Sequence, residues 1–318
     1  MSGAVAQAVD HVRRELARTI VGQAEALDLL LVTVLCRGHA LVEGVPGLAK
    51  TLAVRTLADI LRLQFHRVQC TPDLMPADIV GSSVLNSTTA QFSFRPGPVF
   101  TELLLVDEIN RMPPRTQSAL LEAMEERQVT VDGTSYSLSP AFTTFATQNP
   151  VEFEGTYPLP EAELDRFMVK IRFTYPNAAL REEEAILERH HQGFDAHDLS
   201  GLSLVALEAA PLAEARQAVA SVRVEPALFG YIASIGRRTR DWPAIALGAS
   251  PRATINLMQV AKAMAALDGR DFLLPDDVKR AAVPVLRHRL VLKPEADLEG
   301  LTAETVTGEI LASIDVPK

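Results

Sequence analysis

The sequence contains few cysteines and no long run of apolar residues. Its two cysteines, Cys36 and Cys70, are too few for a disulfide framework, and this usage fits a reducing compartment. The longest apolar stretch, from Leu29 to Cys36, is too short to cross a bilayer, and residues 1–14 lack the apolar core of a signal peptide. These absences predict a cytoplasmic protein without a membrane span.

An excess of positive charge is also absent. The 318 residues include 31 Lys and Arg against 40 Asp and Glu, which gives a formal net charge of -9. An acidic chain is a poor candidate for a broad nucleic-acid-binding surface, so we expect no nucleic-acid partner. Hydrophobic residues make up 47% of the chain, which is enough for one large and one smaller domain, each with its own core.

Eight consecutive residues have the composition of a phosphate-binding loop. They lie between the apolar segment Ala40–Val42 and a helix-like run from Leu52 to Leu63, and they are Gly44, Val45, Pro46, Gly47, Leu48, Ala49, Lys50 and Thr51. The glycines let backbone N–H groups converge on one anion, the lysine can reach the β- and γ-phosphates, and the threonine hydroxyl can ligate Mg²⁺. Ala49 replaces the second glycine of the G-x-x-x-x-G-K-[ST] pattern, so a left-handed backbone there would be costlier. The segment predicts a site for a nucleotide with Mg²⁺.

A second segment ends in two adjacent carboxylates. Leu103–Val106 is a continuous apolar run, as expected for a strand buried on both faces of a parallel sheet, and Asp107 and Glu108 follow it. Ligands bind at this end of such strands, so Asp107 would hold the hydration shell of Mg²⁺ and Glu108 would polarise the attacking water. Viewed alone, the pair could be an ordinary acidic helix start. Together with the loop, it predicts nucleotide hydrolysis.

Strand and helix patterns alternate through the first half of the sequence, which is typical of an α/β fold with a parallel sheet covered by helices. The strand candidates are Ala40–Glu43, Phe65–Cys70, Leu103–Val106, Phe142–Thr147 and Met168–Phe173. Two insertions interrupt the pattern: a polar segment at Val84–Phe100, and a hairpin at Gln128–Leu138 with Asp132 and Gly133 as its turn. Both are expected to project from the sheet, either as surface decoration or as loops that touch a partner.

From residue 177 onward the patterns are helical. Asn177 is expected to cap a helix that runs to about His190, and later helices are predicted near 213–221, 226–238, 252–267, 276–283 and 302–314. The predicted domains are therefore residues 1–176, an α/β nucleotide-binding domain with an N-terminal helical segment, and residues 177–318, an all-helical domain.

Six segments, in order along the chain, resemble one protein family. They are Ile20–Gln23, Gly44–Thr51, Leu103–Arg111, Thr147–Pro150, Leu159–Phe167 and Ser250–Arg252. Through them the chain resembles the MoxR group of AAA+ ATPases over nearly its full length, and Ala49 also occurs in the loop of that group. The resemblance implies an AAA+ P-loop NTPase core with a parallel sheet in the order 5-1-4-3-2, a helical lid, and a hexameric ring that holds ATP and Mg²⁺ between its subunits.

The same resemblance assigns further residues to the site. The segment Val21-Gly22-Gln23 would pass beside the nucleotide base. Asn149 corresponds to sensor 1, where its amide would hold the attacking water or the γ-phosphate. Arg166 corresponds to an arginine finger that meets the nucleotide of the neighbouring subunit, and Arg252 to sensor 2, which would bring a lid cation to the same phosphate.

The resemblance also implies a function. A ring ATPase of this group would remodel or activate a protein client, such as a von Willebrand factor A domain protein, sometimes for metal or cofactor insertion. A nucleotide-dependent binding scaffold with little turnover remains an alternative. A GTPase is disfavoured because no Asn-Lys-x-Asp element is present, and a DNA motor is disfavoured because the chain is acidic.

Overall fold

Strands and helices alternate through the first half of the computed structural model, which describes residues 3–86, 91–150, 155–196, 202 and 204–317. The strands of these residues are β1 (Ala40–Glu43), β2 (Phe65–Gln69), β3 (Gly81–Asn86), β4 (Gln91–Pro96), β5 (Leu103–Asp107), β6 (Gln128–Val131), β7 (Thr134–Ser137), β8 (Thr143–Gln148), β9 (Val169–Arg172), β10 (Ile245–Leu247) and β11 (Val291–Leu292). The helices are α1 (Gly3–Thr19), α2 (Ala24–Leu35), α3 (Lys50–Leu61), α4 (Pro76–Val80), α5 (Pro114–Glu126), α6 (Glu161–Leu164), α7 (Glu182–His191), α8 (Ala209–Ser221), α9 (Pro226–Asp241), α10 (Pro251–Leu267), α11 (Pro275–Leu286), α12 (Pro294–Leu298) and α13 (Ala303–Ala312). None of the helices within these ranges is long and apolar enough to cross a bilayer.

The central sheet contains β2, β5, β8, β1 and β9 side by side in that order, and each neighbouring pair is parallel. Counted along the chain, these are the five predicted strands, so the predicted order 5-1-4-3-2 is confirmed. The observed strand ends differ from the predicted ends by one residue at most. This order places the carboxyl ends of β1, β5 and β8 next to one another, which is where a parallel sheet binds its ligands.

Two hydrophobic cores cover the two faces of the sheet. Leu103 and Leu105 belong to one cluster of buried residues, whereas Leu104 and Val106 belong to the other. The alternation arises because successive side chains of a strand point to opposite faces. All four side chains are fully buried, which explains why β5 is apolar along its length. The cluster with Leu105 continues into the helical second half, where it includes Leu257 of α10, so the lid packs on the same core.

Two antiparallel hairpins interrupt the alternation of strands and helices. One pairs β6 with β7, as predicted, and Asp132 (φ 50°) and Gly133 (φ 78°) form its left-handed turn. The other pairs β3 with β4 and overlaps the predicted insertion Val84–Phe100, of which residues 87–90 lie outside the described residues. The ring of Phe94 on β4 stacks on Tyr136 of β7 with centroids 4.0 Å apart, so the two hairpins pack against each other.

The described part of the second half of the chain is helical, as predicted, but it also contains α12 (Pro294–Leu298), which was not predicted, and it differs in two further details. A short antiparallel ladder pairs β10 with β11 and joins Ile245 to Leu292. In addition, Asn177 caps a 3₁₀ turn at Ala178–Leu180, because its Oδ1 accepts a hydrogen bond from the next residue but one. Arg181 then adopts φ 54°, and α7 begins only at Glu182. The prediction of one continuous helix from the cap was therefore wrong in its first turn.

Candidate nucleotide-binding site

The phosphate-binding loop connects β1 to α3, which is the context that its sequence predicts. Ala49 has φ 61° and ψ 22°, so the chain is left-handed at the position where the pattern has a glycine, and an alanine pays about 1 kcal/mol for that conformation. Gly47 also has a positive φ of 86°. A Cβ added to Gly44 would lie 2.9 Å from the carbonyl oxygen of Phe173. The positive φ of Gly47 therefore lets the loop turn. Because Gly44 has no side chain, the loop can pass close to Phe173, the residue after β9.

A cavity of about 530 Å³ lies beside the loop and is lined by loop residues together with Asp107, Glu108 and Asn149. The Nζ of Lys50 donates hydrogen bonds to the loop carbonyls of Gly44 and Val45, the second at 2.8 Å. Partial burial lowers the pKa of Lys50, while the charges of the two carboxylates oppose that shift. The ammonium group is thus held inside the loop and within the field of the acidic pair.

Asp107 connects three parts of the site. Its Oδ1 accepts a hydrogen bond from Thr147 Oγ1 at 2.6 Å, and its Oδ2 accepts one from Thr51 Oγ1 at 3.2 Å. The guanidinium of Arg67 on β2 also pairs with Oδ2, with Nη2 at 2.7 Å. The structure therefore brings together Thr51 and Asp107, the two residues that the sequence predicts as Mg²⁺ ligands. A hydroxyl and a carboxylate oxygen are suitable ligands for Mg²⁺, which keeps several of its waters.

Glu108 begins a turn immediately after β5. Its φ is 59°, a left-handed conformation that costs a non-glycine residue about 1 kcal/mol and that is common at functional sites. Its backbone N–H donates to Thr147 Oγ1 at 2.9 Å, and its Oε2 pairs with Arg111 Nη1 at 3.0 Å. The carboxylate is therefore oriented within the cavity that Asn149, buried at the end of β8, also lines.

Two residues of this cluster were not predicted from the sequence. Arg67 and Thr147 both contact Asp107, yet neither was assigned a role. A signal for Thr147 was present, because a polar residue in a buried strand needs a hydrogen-bond partner. For Arg67 the only signal was a basic residue in the middle of a strand.

A second, smaller cavity of about 210 Å³ adjoins the phosphate-binding loop. Val21 and Gln23, which the sequence predicts beside the nucleotide base, line it together with Leu48 and Ile186. The side chain of Gln23 donates from Nε2 to the carbonyl of Thr174 at 2.6 Å and accepts from the N–H of the same residue at 3.3 Å. Gly22 has φ 67° and forms the turn between α1 and α2. The largely apolar walls suit an aromatic base.

The two arginines with predicted roles in the site, Arg166 and Arg252, contact the same carboxylate, that of Glu125. Arg166 Nε is 2.8 Å from Glu125 Oε2, and Arg252 Nη2 contacts Glu125 Oε1. Arg252 Nη1 is also 4.0 Å from Asp165 Oδ2. Neither arginine is among the described residues that line the two cavities beside the loop. The residues predicted as arginine finger and sensor 2 thus form one cluster that does not line the cavities beside the loop of the same chain.

No group of three or more His, Cys, Asp or Glu side chains in the described part of the chain could enclose a metal ion. A single carboxylate beside a hydroxyl is instead the arrangement at Asp107 and Thr51. This donor set fits a cation that is held jointly by the protein, by water and by phosphate oxygens.

Comparison with known proteins identifies the family. Residues 39–169 match the family model described as ATPase family associated with various cellular activities (AAA), and residues 237–310 match the AAA lid domain. The chain is 39% identical to Chaperone MoxR1 of Mycobacterium tuberculosis over 96% of this chain and 81% of that protein. It is 31% identical to Protein MoxR of Methylorubrum extorquens over 90% of this chain and 88% of that protein. The crystal structure of a protein from Cytophaga hutchinsonii is similar to this chain, with a TM-score of 0.88 and 40% sequence identity. The match covers 99% of this chain and 96% of that chain. The chain therefore belongs to the MoxR family of AAA+ ATPases.

Proposed function

We propose that this protein is a Mg²⁺-dependent ATPase that assembles into a hexameric ring and uses hydrolysis to remodel a protein client. The observation that supports the proposal most directly concerns Asp107. This carboxylate is hydrogen-bonded to Thr51 and next to Glu108, and it lines the same cavity as Lys50. Phosphoryl transfer needs these groups: a cation for the phosphates, ligands for the metal and a carboxylate for the water.

ATP would bind with its triphosphate in the larger cavity and its base in the smaller, apolar one. The backbone N–H groups of the loop and the N-terminus of α3 attract the phosphates. Lys50 would exchange the carbonyls of Gly44 and Val45 for phosphate oxygens, which are stronger partners for an ammonium group. Gln23, which bonds to both backbone groups of Thr174, would hold the base-binding segment in place.

Hydrolysis would then rely on two neighbouring strand ends. Mg²⁺ held by Thr51 and Asp107 would neutralise charge on the phosphates as the transition state forms. Glu108, oriented by Arg111, would polarise the attacking water. Asn149, at the end of the adjacent β8, would orient that water or the γ-phosphate from the other side.

The arginine cluster would act on the nucleotide of a neighbouring subunit. Arg166 and Arg252 contact Glu125 and line neither cavity beside the loop of their own chain, which favours a role at a nucleotide that another subunit holds. Extra positive charge at the γ-phosphoryl oxygens is needed chiefly in the transition state. Hydrolysis would therefore depend on ring assembly.

The client part of the proposal rests on the family. One relative is named Chaperone MoxR1, and chaperone-like activity on a protein client is the corresponding proposal for this chain. A von Willebrand factor A domain protein is the client class that we propose, with metal or cofactor insertion as one outcome of the remodelling. We expect this activity in the cytoplasm.

Exchange of Glu108 for Gln tests the ATPase. Glu108→Gln should bind ATP as tightly as the wild-type protein does but release phosphate at least about 100-fold more slowly, because the amide cannot take a proton from water. Lys50→Ala is the comparison variant and should lose ATP binding as well. Undiminished phosphate release by Glu108→Gln would refute the role of this carboxylate. A wild-type protein that binds ATP without turnover would instead be a nucleotide-dependent scaffold.

Mixed assemblies test the action between subunits. Arg166→Ala should bind ATP but not hydrolyse it, and so should be inactive alone, like Lys50→Ala. In a mixture, a Lys50→Ala subunit supplies an intact Arg166 to the intact nucleotide site of its Arg166→Ala neighbour, so part of the activity should return. If no mixing ratio restores phosphate release, the finger does not act in trans.

ATP-dependent capture of proteins by the Glu108→Gln variant would identify the client.

A further inference from the structure

One carboxylate, Glu125 near the end of α5, joins the two arginines of the cluster. Its Oε2 accepts from Arg166 Nε at 2.8 Å, and its Oε1 accepts from Arg252 Nη2. The first arginine belongs to the α/β core, and the second to α10 of the lid. Each oxygen of the carboxylate thus holds one guanidinium group, and the bridge spans the two halves of the chain.

The lid also holds the segment that contains Arg166. Ser250 Oγ donates to both carboxylate oxygens of Asp165, at 2.9 and 3.0 Å, and Arg289 Nε donates to Asp165 Oδ1 at 2.8 Å. Arg289 is only 5% exposed and donates further to the carbonyls of Asp165 and Phe167. These contacts fix the backbone on both sides of Arg166 to the lid, so the side chain of Arg166 is the remaining degree of freedom.

The ion pair with Glu125 restricts the position of the Arg166 side chain. The side chains of Arg166, Glu125 and Arg252 are 28%, 35% and 42% exposed, so solvent weakens their attraction without removing it. Partial desolvation would raise the pKa of Glu125, but the hydrogen bond from Arg166 and the charge of Arg252 outweigh that effect and lower it. The carboxylate is therefore ionised at neutral pH, and it offsets the repulsion between two guanidinium groups that share one site.

The hydrogen bond from Arg166 to Glu125 does not use the end of the guanidinium group that binds phosphate. Arg166 contacts Glu125 through Nε, whereas the two Nη groups at the tip of a guanidinium carry four of its five N–H donors. An arginine that is held at Nε keeps its fork in one plane and loses less entropy when it binds phosphoryl oxygens. Two guanidinium groups on one carboxylate would also reach a phosphate together rather than independently.

We propose that Glu125 is a positioning residue that holds Arg166 and Arg252 as a single unit for the nucleotide of the neighbouring subunit. This inference rests on the proposed function, because it needs a finger that acts in trans. Glu125 itself does not touch the nucleotide. Through it, the orientation of the lid of one subunit determines whether the next subunit hydrolyses ATP.

Glu125→Gln tests the inference, and Glu126→Gln is its matched control. Both remove one exposed carboxylate from the end of α5, and no ion pair of Glu126 is present among the described contacts. We expect Glu125→Gln to lower kcat by about 10- to 100-fold, as for a misplaced catalytic group, with KM for ATP changed by less than about threefold. Glu126→Gln should keep the wild-type kcat. Glu125→Asp, one methylene shorter, should reach one arginine at most and fall between the two.

A mixing experiment separates this role from a structural one. Glu125→Gln subunits keep an intact nucleotide site, so Lys50→Ala subunits, which supply an intact arginine cluster, should restore part of their activity. A kcat of Glu125→Gln within twofold of that of Glu126→Gln overturns the inference. So does a defect that Lys50→Ala subunits cannot rescue, or a failure of Glu125→Gln to form rings in sedimentation. If the mixture of Arg166→Ala with Lys50→Ala also stays inactive, the proposed function fails instead.

Discussion

Acid should destabilise this protein through His39, a buried histidine that links the sheet to α5. Its Nδ1 accepts a hydrogen bond from the backbone N–H of Thr144 at 3.0 Å, and its Nε2 lies 3.2 Å from the carbonyl of Met124. Because Nδ1 is the acceptor, the single ring proton is on Nε2, and the neutral ring satisfies both partners. Burial, with a smaller effect from the charge of Arg127, lowers the pKa of His39 to about 3.

The size of the effect depends on the proton uptake of the folded and unfolded chains. In the unfolded chain a histidine titrates near pH 6.5, whereas the folded ring stays neutral down to about 3. As the pH falls below about 6.5, only the unfolded chain takes up this proton, so the free energy of unfolding decreases. The decrease due to His39 is about 2 kcal/mol at about pH 5 and about 5 kcal/mol below about pH 3.

His39→Gln tests this reasoning, because an amide does not titrate. The variant should be less stable than the wild type at about pH 7.5, since the N–H of Thr144 loses its acceptor. Between about pH 7.5 and pH 5, however, it should lose about 2 kcal/mol less than the wild type does. Urea unfolding without nucleotide at both pH values measures the difference, with His191→Gln on the exposed surface of α7 as control. Equal losses for the wild type and His39→Gln would refute a neutral His39 in the folded chain.

Two further predictions concern the loop and its metal ligand. Thr51→Val should raise the Mg²⁺ concentration for half-maximal ATPase activity by about tenfold, because a hydroxyl ligand is lost. Thr51→Ser should keep the wild-type value. If both variants need the same Mg²⁺ concentration, Thr51 is not a ligand. Gly44→Ala should lower the free energy of unfolding by about 1–3 kcal/mol, because its Cβ would meet the Phe173 backbone. Gly47→Ala has open space around the new Cβ and should lose only about 1 kcal/mol through its positive φ. Urea unfolding of both glycine variants checks this order, and a larger loss for Gly47→Ala would contradict it.

Local patterns in the sequence were sufficient for the sheet and for the centre of the site. The alternation of strands and helices predicted five strands whose ends agree with the structure to within one residue, and the family resemblance implied their order, which the structure confirms. The loop at Gly44–Thr51 and the acidic pair after β5 are contiguous segments, so each can be recognised in the sequence without knowledge of its long-range contacts. The start of α7 could not be predicted in the same way, because the left-handed Arg181 has no distinctive residue type.

The sequence by itself determined that a phosphate-binding loop and a carboxylate pair stand at strand ends, because the order of residues along one chain sets which side chains come directly after each strand. Only the tertiary structure decided which distant side chains pair with them. Arg67 and Thr147 meet at Asp107 from two other strands, and Arg166 and Arg252 meet at Glu125 across the two halves of the chain. Such contacts join residues far apart in sequence, and they depend on how the sheet and lid pack rather than on any local period.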